Sequence, residues 1–326
     1  MCIRDRTITH NGYIKRTNLN TYRSQRRGGR GVQGASSREE DFVEHLFVAN
    51  THSYILFFTD KGKCYWVKVY DIPEGGRAAK GRAIVNLIGC EPDEKVSAFI
   101  SVKEFNDDHF VVMATEKGIV KKTKLSAYSN PRKKGIYAVE IRDGDKLIEA
   151  RVSTGDNDIL LGTRNGKSIR FSEEQIRPSG RKTMGVKGIT LSSKDDRLVG
   201  MLLIKREGTT VLVATEKGFG KRTEISQYRA QKRGGKGVLT MKTTEKVGKM
   251  VTIKEVVDKD DLMIITNQGV LIRQPVSQIR AIGRATQGVK LIKLGEGTLV
   301  SSITRIMSEE DDGDENNSAE PEGSSE

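Results

Sequence analysis

One short pattern, Thr-x-polar-Gly, returns six times along this 326-residue chain, and that recurrence restricts the possible folds more than any other feature. The copies pair Thr9 with Gly12, Thr59 with Gly62, Thr115 with Gly118, Thr163 with Gly166, Thr215 with Gly218 and Thr266 with Gly269. Successive glycines lie 50, 56, 48, 52 and 51 residues apart. In five copies an apolar run leads in, such as Ile55-Leu56-Phe57-Phe58 or Val211-Leu212-Val213-Ala214, and reads as a buried strand. A second strand follows each glycine, as in Ile119-Val120-Lys121-Lys122-Thr123. Two strands joined by a polar turn ending in Gly make a β-hairpin, with Gly supplying a positive φ.

The register persists beyond the turn. Ten residues after the glycine stand Tyr22, Ile72, Tyr128, Ile176, Tyr228 and Ile279, a large side chain suited to plug the space between neighbouring repeats. Nineteen residues after it comes Gly31, Gly81, Gly185, Gly237 or Gly288, while the third copy has Gly135 two residues early. Repeats of this length, made of short strands without helical periodicity, predict an all-β, propeller-like ring of six four-stranded blades. An open solenoid is the alternative, and the ring is preferred because closure removes exposed ends. Before Thr9 the chain offers Met1-Cys2-Ile3-Arg4-Asp5-Arg6 where an apolar strand belongs, so residues 1–6 read as a foreign start and the repeat body as 7–307.

Charge separates the body from its end. The chain is formally +13, yet the segment after Met307 holds nine acids and no Lys or Arg, so the body alone is +22. Residues 308–326, rich in Gly, Ser and Asn between the acids, predict a disordered tail that could compete for the basic surface. A body this far from neutral repels itself and suits a polyanionic partner. Cys2, Cys64 and Cys90 have neither disulfide nor zinc spacing, which fits a reducing cytoplasm. No run approaches the roughly 18 apolar residues of a membrane span, and the start lacks the apolar core of a signal peptide.

The cations keep register too. Fifteen residues after the hairpin glycine every repeat carries one: Arg27, Arg77, Lys133, Arg181, Arg233 and Arg284. Four residues after it stand Arg16, Lys122, Arg170, Arg222 and Arg273, with Trp66 the exception. Lys80, Arg82, Arg132, Lys232 and Lys236 lie beside the first set. In a ring, equivalent positions share a radius, so repeated cations form a belt that can follow phosphates without reading bases. For any single cation at the fourth position, the outward half of an amphipathic strand is the simpler reading. Two repeats go further: Gln25-Arg26-Arg27-Gly28-Gly29-Arg30-Gly31 and Gln231-Lys232-Arg233-Gly234-Gly235-Lys236-Gly237 combine three cations with three glycines, which lets main chain approach a phosphate.

The first heptapeptide resembles the GyrA box, the signature that separates gyrase A subunits from their topoisomerase IV counterparts, and the surrounding repeats are similar to the β-pinwheel of that family. The resemblance covers residues 7–307 and implies a DNA-wrapping domain in which double-stranded DNA binds the outer rim and is bent with positive writhe. It places Gln25, Arg26, Arg27, Gly28, Gly29, Arg30 and Gly31 in a rim loop where the ends of the ring meet. It also implies a bacterial cytoplasmic setting and a gyrase B partner in an A2B2 heterotetramer. ATP and Mg would serve that holoenzyme, with no cofactor in this chain and the cleaving tyrosine upstream. The alternatives are a basic propeller that binds RNA or protein and the matching domain of a topoisomerase IV A subunit.

The residues offer no catalytic constellation of their own. His10, His45, His52 and His109 are scattered, none at metal-ligand spacing. Gly162-Thr163-Arg164-Asn165-Gly166-Lys167-Ser168 has one residue too few between its glycines for a phosphate-binding P-loop, and it coincides with the fourth hairpin turn.

Overall fold

The computed structural model describes residues 3–9, 12–17, 43–50, 52–75, 79, 81–91, 93–204, 208–268 and 270–306. Each repeat begins with the expected hairpin: β1 (Ile3–Thr9) and β2 (Tyr13–Thr17) in the first repeat, which ends with β3 (Val43–Asn50). The second holds β4 (Tyr54–Thr59), β5 (Lys63–Lys68), β6 (Arg82–Ala83), a one-turn helix α1 (Ile84–Ile88) and β7 (Val96–Val102). The third has β8 (Phe110–Thr115), β9 (Ile119–Lys124), β10 (Ile136–Tyr137) and β11 (Leu147–Ser153). The fourth has β12 (Asp158–Thr163), β13 (Lys167–Ser172), β14 (Val186–Lys187) and β15 (Leu198–Ile204). The fifth has β16 (Thr210–Thr215), β17 (Phe219–Glu224), β18 (Val238–Leu239) and β19 (Met250–Val256). The last has β20 (Asp261–Thr266), β21 (Leu271–Pro275), β22 (Val289–Lys290) and β23 (Val300–Ile306).

The pairing order departs from self-contained blades. The sheets run β3-β1-β2-β6, β7-β4-β5-β10, β11-β8-β9-β14, β15-β12-β13-β18, β19-β16-β17-β22 and β23-β20-β21. The two-residue strand of every repeat from the second onward therefore joins the sheet of the repeat before it. Among the described residues five sheets reach four strands and the last has three, which corrects the expected set of six four-stranded blades. β23 packs against β3, bringing the last sheet to the first. β1 starts at Ile3, inside the segment expected to be foreign, and pairs with both β2 and β3. Ladder bonds are made by backbone, so this pairing does not require apolar side chains.

The Thr and Gly of the recurring pattern have separate physical tasks. In the third repeat the N–H of Gly118 donates to the carbonyl of Thr115 at 2.9 Å, closing the turn. The Thr115 hydroxyl accepts the N–H of Ile119 at 3.2 Å, and Thr59, Thr163 and Thr266 accept equivalent bonds. The glycine carbonyl then serves the next repeat: that of Gly166 accepts the N–H groups of Thr240 and Met241 at 2.8 and 3.1 Å. The carbonyls of Gly62, Gly118 and Gly218 each take two such bonds, and that of Gly12 takes one from Ile84. Segment 162–168 is thus a hairpin turn that docks the following repeat, as its spacing suggested.

The cores lie between sheets, with the leading strands buried on both faces, as their continuous apolar runs predict. One cluster joins Leu56, Phe58 and Ile100 of the second repeat to Val111, Met113 and Tyr128 of the third. Of the plug positions, Ile72, Tyr128, Ile176, Tyr228 and Ile279 are buried, and Tyr22 lies outside the described residues. Tyr128 meets Phe58 edge-on at 5.9 Å between centroids, and burial pushes its hydroxyl pKa up. The Tyr228 hydroxyl lies 2.6 Å from that of Thr240.

Gly166 has φ +82°, and a Cβ there would stand 2.1 Å from the Met241 carbonyl oxygen, so Gly166→Ala meets both backbone strain and a collision. It is expected to cost about 2–4 kcal/mol in urea unfolding. Gly180→Ala, which meets nothing within 4 Å, should leave the midpoint almost unchanged.

Candidate nucleic-acid interface

Two sets of cations that look alike in sequence occupy different environments. The fourth-position set faces the seam between repeats. Arg170 donates from Nε to Asp158 at 2.8 Å and from one terminal nitrogen to the carbonyls of Ile225 and Tyr228, each at 3.2 Å. Arg222 donates from Nε to the Ile279 carbonyl at 2.6 Å and pairs with Asp258. Trp66, the exception, donates from Nε1 to the Tyr128 carbonyl at 2.8 Å. Tyr128, Tyr228 and Ile279 are the plug residues of the next repeats, so this position asks for a long N–H donor across the seam. Trp and Arg both meet that demand.

The remaining members are also neutralised within the protein. Arg16 pairs with Glu74 at 3.7 Å, and Arg273 with Asp261 at 2.5 Å. Lys122 is 4% exposed, with Nζ 3.0 Å from Glu173, 3.1 Å from the Gly155 carbonyl and 4.4 Å from the Phe110 ring centroid. The Arg16 and Lys122 charges join neighbouring repeats, whereas Arg273 pairs within its own hairpin.

The fifteenth-position set keeps its charge. Arg233 donates from Nε to the Gln175 carbonyl at 3.0 Å and from a terminal nitrogen to that of Lys187 at 3.2 Å. Arg284 donates to the Leu239 carbonyl at 3.3 Å and lies over the Tyr228 ring. Lys187 and Leu239 close the two-residue strands of their repeats, so both arginines make the same backward reach. A carbonyl orients a guanidinium without cancelling its net charge. Among the described residues, Arg181, Arg233 and Arg284 form no ion pair, and Lys133 is exposed. Arg82, Arg132, Lys232 and Lys236 are exposed beside them. Arg77, Lys80 and residues 25–31 lie outside the described residues.

The fifth-repeat heptapeptide is built for packing as well as charge. A Cβ on Gly237 would stand 2.4 Å from the Ser168 carbonyl oxygen, so this glycine lets the following short strand reach the previous sheet. The N–H groups of Gln231, Arg233 and Gly234 donate to Arg170, Gln175 and Gly188. This loop is therefore tied down by its main chain and presents side-chain cations outward.

Sequence reasoning passed over two sets. Arg177, Arg229 and Arg280 share the eleventh position after the hairpin glycine and are exposed; counting that offset finds them. Lys15, Lys121 and Lys221, at the third position of alternate repeats, are almost fully buried. Charge alone cannot announce a buried lysine, but alternation with Tyr65, Ile169 and Ile272 at the same position could have. Among the described residues no cluster of His, Cys, Asp or Glu is suited to a metal, and no helix is long and apolar enough to cross a membrane.

The buried pair supplies a test of the seam. Glu173 also accepts from the Ser153 hydroxyl and from Asn157 at 3.3 Å, so Glu173→Leu leaves Lys122 without its counter-charge and is expected to destabilise by about 3–5 kcal/mol. Asp261→Ala, which releases the exposed Arg273, should cost about 1 kcal/mol or less in the same chemical-denaturation assay.

Comparison with known proteins agrees with this repeat arrangement. The chain matches the family described as DNA gyrase C-terminal domain, beta-propeller, in six segments: 7–50, 53–103, 109–154, 157–205, 209–256 and 260–306. It is 47% identical over 307 residues to the DNA gyrase A subunit of Staphylococcus epidermidis, covering 94% of this chain and 34% of that protein. The DNA gyrase A subunit of Staphylococcus aureus strain MRSA252 is 46% identical over 311 residues, covering 95% and 35%. The chain thus spans about a third of the length of these relatives. In fold it is similar to the C-terminal domain of DNA topoisomerase IV, with TM-score 0.80 and 24% identity over 94% of this chain and 93% of that one. It is likewise similar to the DNA gyrase A C-terminal domain, with TM-score 0.76 and 23% identity over 94% and 100%. With the six matched segments coinciding with the interlocked repeats, the chain belongs to the DNA gyrase C-terminal domain family.

Proposed function

We propose that this chain binds double-stranded DNA along its loop-bearing rim and bends it with positive writhe, as the wrapping part of a gyrase A subunit. The observation that carries this reading is the recurrence of cations at the fifteenth position, left without an ion pair at Arg181, Arg233 and Arg284 among the described residues and oriented by carbonyls at Arg233 and Arg284. A polyanion with evenly spaced charges is the partner such a series suits. Bending several helical turns costs on the order of several kcal/mol, which many distributed contacts offset and a single motif does not. Within the larger subunit, the same reading entails a gyrase B partner in an A2B2 assembly, ATP and Mg used elsewhere in that assembly, and a bacterial cytoplasmic setting. The acidic residues 308–326 would compete with DNA for the rim.

Register gives the heptapeptide Gln25 to Gly31 a place in this scheme. In the second, fourth, fifth and sixth repeats the glycine at the nineteenth position is followed directly by the short strand that joins the previous sheet. In the sequence, Gly31 stands at the same nineteenth position of the first repeat. Arg26, Arg27 and Arg30 are part of this proposal as further DNA-contacting cations. The intact heptapeptide favours the gyrase reading over the topoisomerase IV equivalent.

Two measurements test the proposal. If about ten phosphates are neutralised, affinity for linear duplex DNA should fall with a log–log salt slope near −9. Nicked circles ligated with the chain bound should show a positive linking-number shift, abolished when residues 25–31 are replaced by alanine. Binding without any shift would point to a basic scaffold and defeat the wrapping reading.

A further inference from the structure

Lys121 and Lys221 are 1% and 0% exposed, yet neither forms an ion pair among the described residues. Each reaches from its own repeat to the rim loop of the next. Lys121 Nζ donates to the Ala138 carbonyl at 2.8 Å and to that of Arg181. Lys221 Nζ donates to the Gly283 carbonyl at 2.7 Å, to that of Arg284, and to the Thr286 hydroxyl at 3.1 Å. In the first repeat Lys15 Nζ likewise reaches the Ala79 carbonyl at 2.9 Å. A buried ammonium without a counter-ion is costly, and its occurrence at both Lys121 and Lys221 calls for a compensating use.

The loops above these lysines share a form. In both, a threonine hydroxyl closes the turn: Thr183 onto the Gly180 carbonyl at 2.9 Å and Thr286 onto that of Gly283 at 3.0 Å. The carbonyls of Thr183 and Thr286 accept N–H groups from Glu140 and Lys242 of the preceding repeats. Carbonyls at three points of each turn are thus engaged within the protein. Among the described residues, no backbone N–H from 180 to 185 donates to another protein atom, and the same is true of 283–288. The fifth-repeat loop is different: three of its N–H groups are engaged, and Ile169 rather than lysine lies beneath it. Runs of main-chain N–H groups over a fixed positive charge are suited to an oxyanion.

Resting on the DNA-binding reading above, we propose that residues 180–185 and 283–288 are main-chain phosphate sites, each backed by a buried lysine, Lys121 or Lys221, that holds the carbonyls inward. The odd-numbered loops would grip the duplex through side chains, while these even-numbered loops would receive a phosphate on backbone N–H groups. Lys121 and Lys221 act as positioning residues beneath the phosphate and do not touch it.

Titration supplies an independent handle. Burial lowers Lys121 to about 8, with Arg181 adding to the effect and Glu140 opposing it. Burial and then Arg284 lower Lys221 to about 8. Because these folded-state values lie below the ordinary lysine value of 10.5, the lysine contribution to folding stability rises from pH 8 toward 10.5. Phosphate binding favours the charged lysine, so DNA affinity should move the other way and fall across the same start of that window. A purely structural lysine would not produce these opposed trends.

The test uses the 326-residue chain, a labelled linear duplex and the variants Lys121→Met, Lys221→Met and their combination. The double variant should bind about tenfold more weakly at pH 7, with a salt slope shallower by roughly two. It should also lose the decline in affinity that the unaltered chain shows between pH 7 and 9, while its unfolding midpoint is kept or raised. Equal affinity and slope in the folded double variant would overturn the proposal. Should the methionine variants fail to fold, amide hydrogen exchange on the unaltered chain decides: DNA must slow exchange across 180–185 and 283–288, and unchanged exchange there overturns it. Absence of salt-dependent DNA binding by the unaltered chain would sink the wrapping reading itself, a result distinct from binding that ignores the two lysines.

Discussion

The hairpin-glycine carbonyl accepting N–H groups from the following repeat is the interaction on which the rest of the architecture depends. It recurs at Gly12, Gly62, Gly118, Gly166 and Gly218, always just after the two-residue strand that has crossed into the earlier sheet. The crossing needs close backbone approach. A Cβ at Gly185 would stand 2.5 Å from the Val120 carbonyl oxygen, and one at Gly288 the same distance from that of Gly220. Glycine therefore appears twice per repeat for two halves of one junction. The turn offers its carbonyl, and the incoming strand gives up its side chain to reach it.

This junction also decides where the charges go. Once the next repeat is docked, its plug carbonyl faces the fourth position, and Trp66, Arg170 or Arg222 must satisfy it. The loop between plug and short strand is then pushed to the rim, carrying the fifteenth-position cation with it. Arg233 and Arg284 reach back to the strand just crossed. Seam cations are neutralised by Glu74, Asp158, Glu173 and Asp258, whereas the loop cations Arg233 and Arg284 meet carbonyl oxygens. One repeated connection thus sorts basic residues into mortar and surface.

Much of this was legible because it was periodic and apolar. The leading strands, the turns and the alternating Tyr/Ile plug follow from residue type and offset, and Tyr128 and Tyr228 occupy the inter-sheet space that their positions implied. The strand exchange was not legible, since two residues carry no alternation pattern from which pairing can be read. Charge misled in a different way. Lys122, Arg170 and Arg222 look like solvated strand faces in sequence, and only their partners across the seam reveal a packing task. Lys121 and Lys221 extend that lesson: a long aliphatic stem lets a charged head sit among carbonyls inside the fold.

The exchanged strand has a consequence for how such a chain comes into being. A repeat emerging from the ribosome cannot finish its own sheet, because the fourth strand is still unmade and belongs to the repeat behind it. At each stage of synthesis the newest blade carries one open edge, a site prone to wrong pairing until the next fifty or so residues appear. That vulnerable edge moves down the nascent polypeptide one repeat at a time, and each arrival both seals the older blade and opens the next.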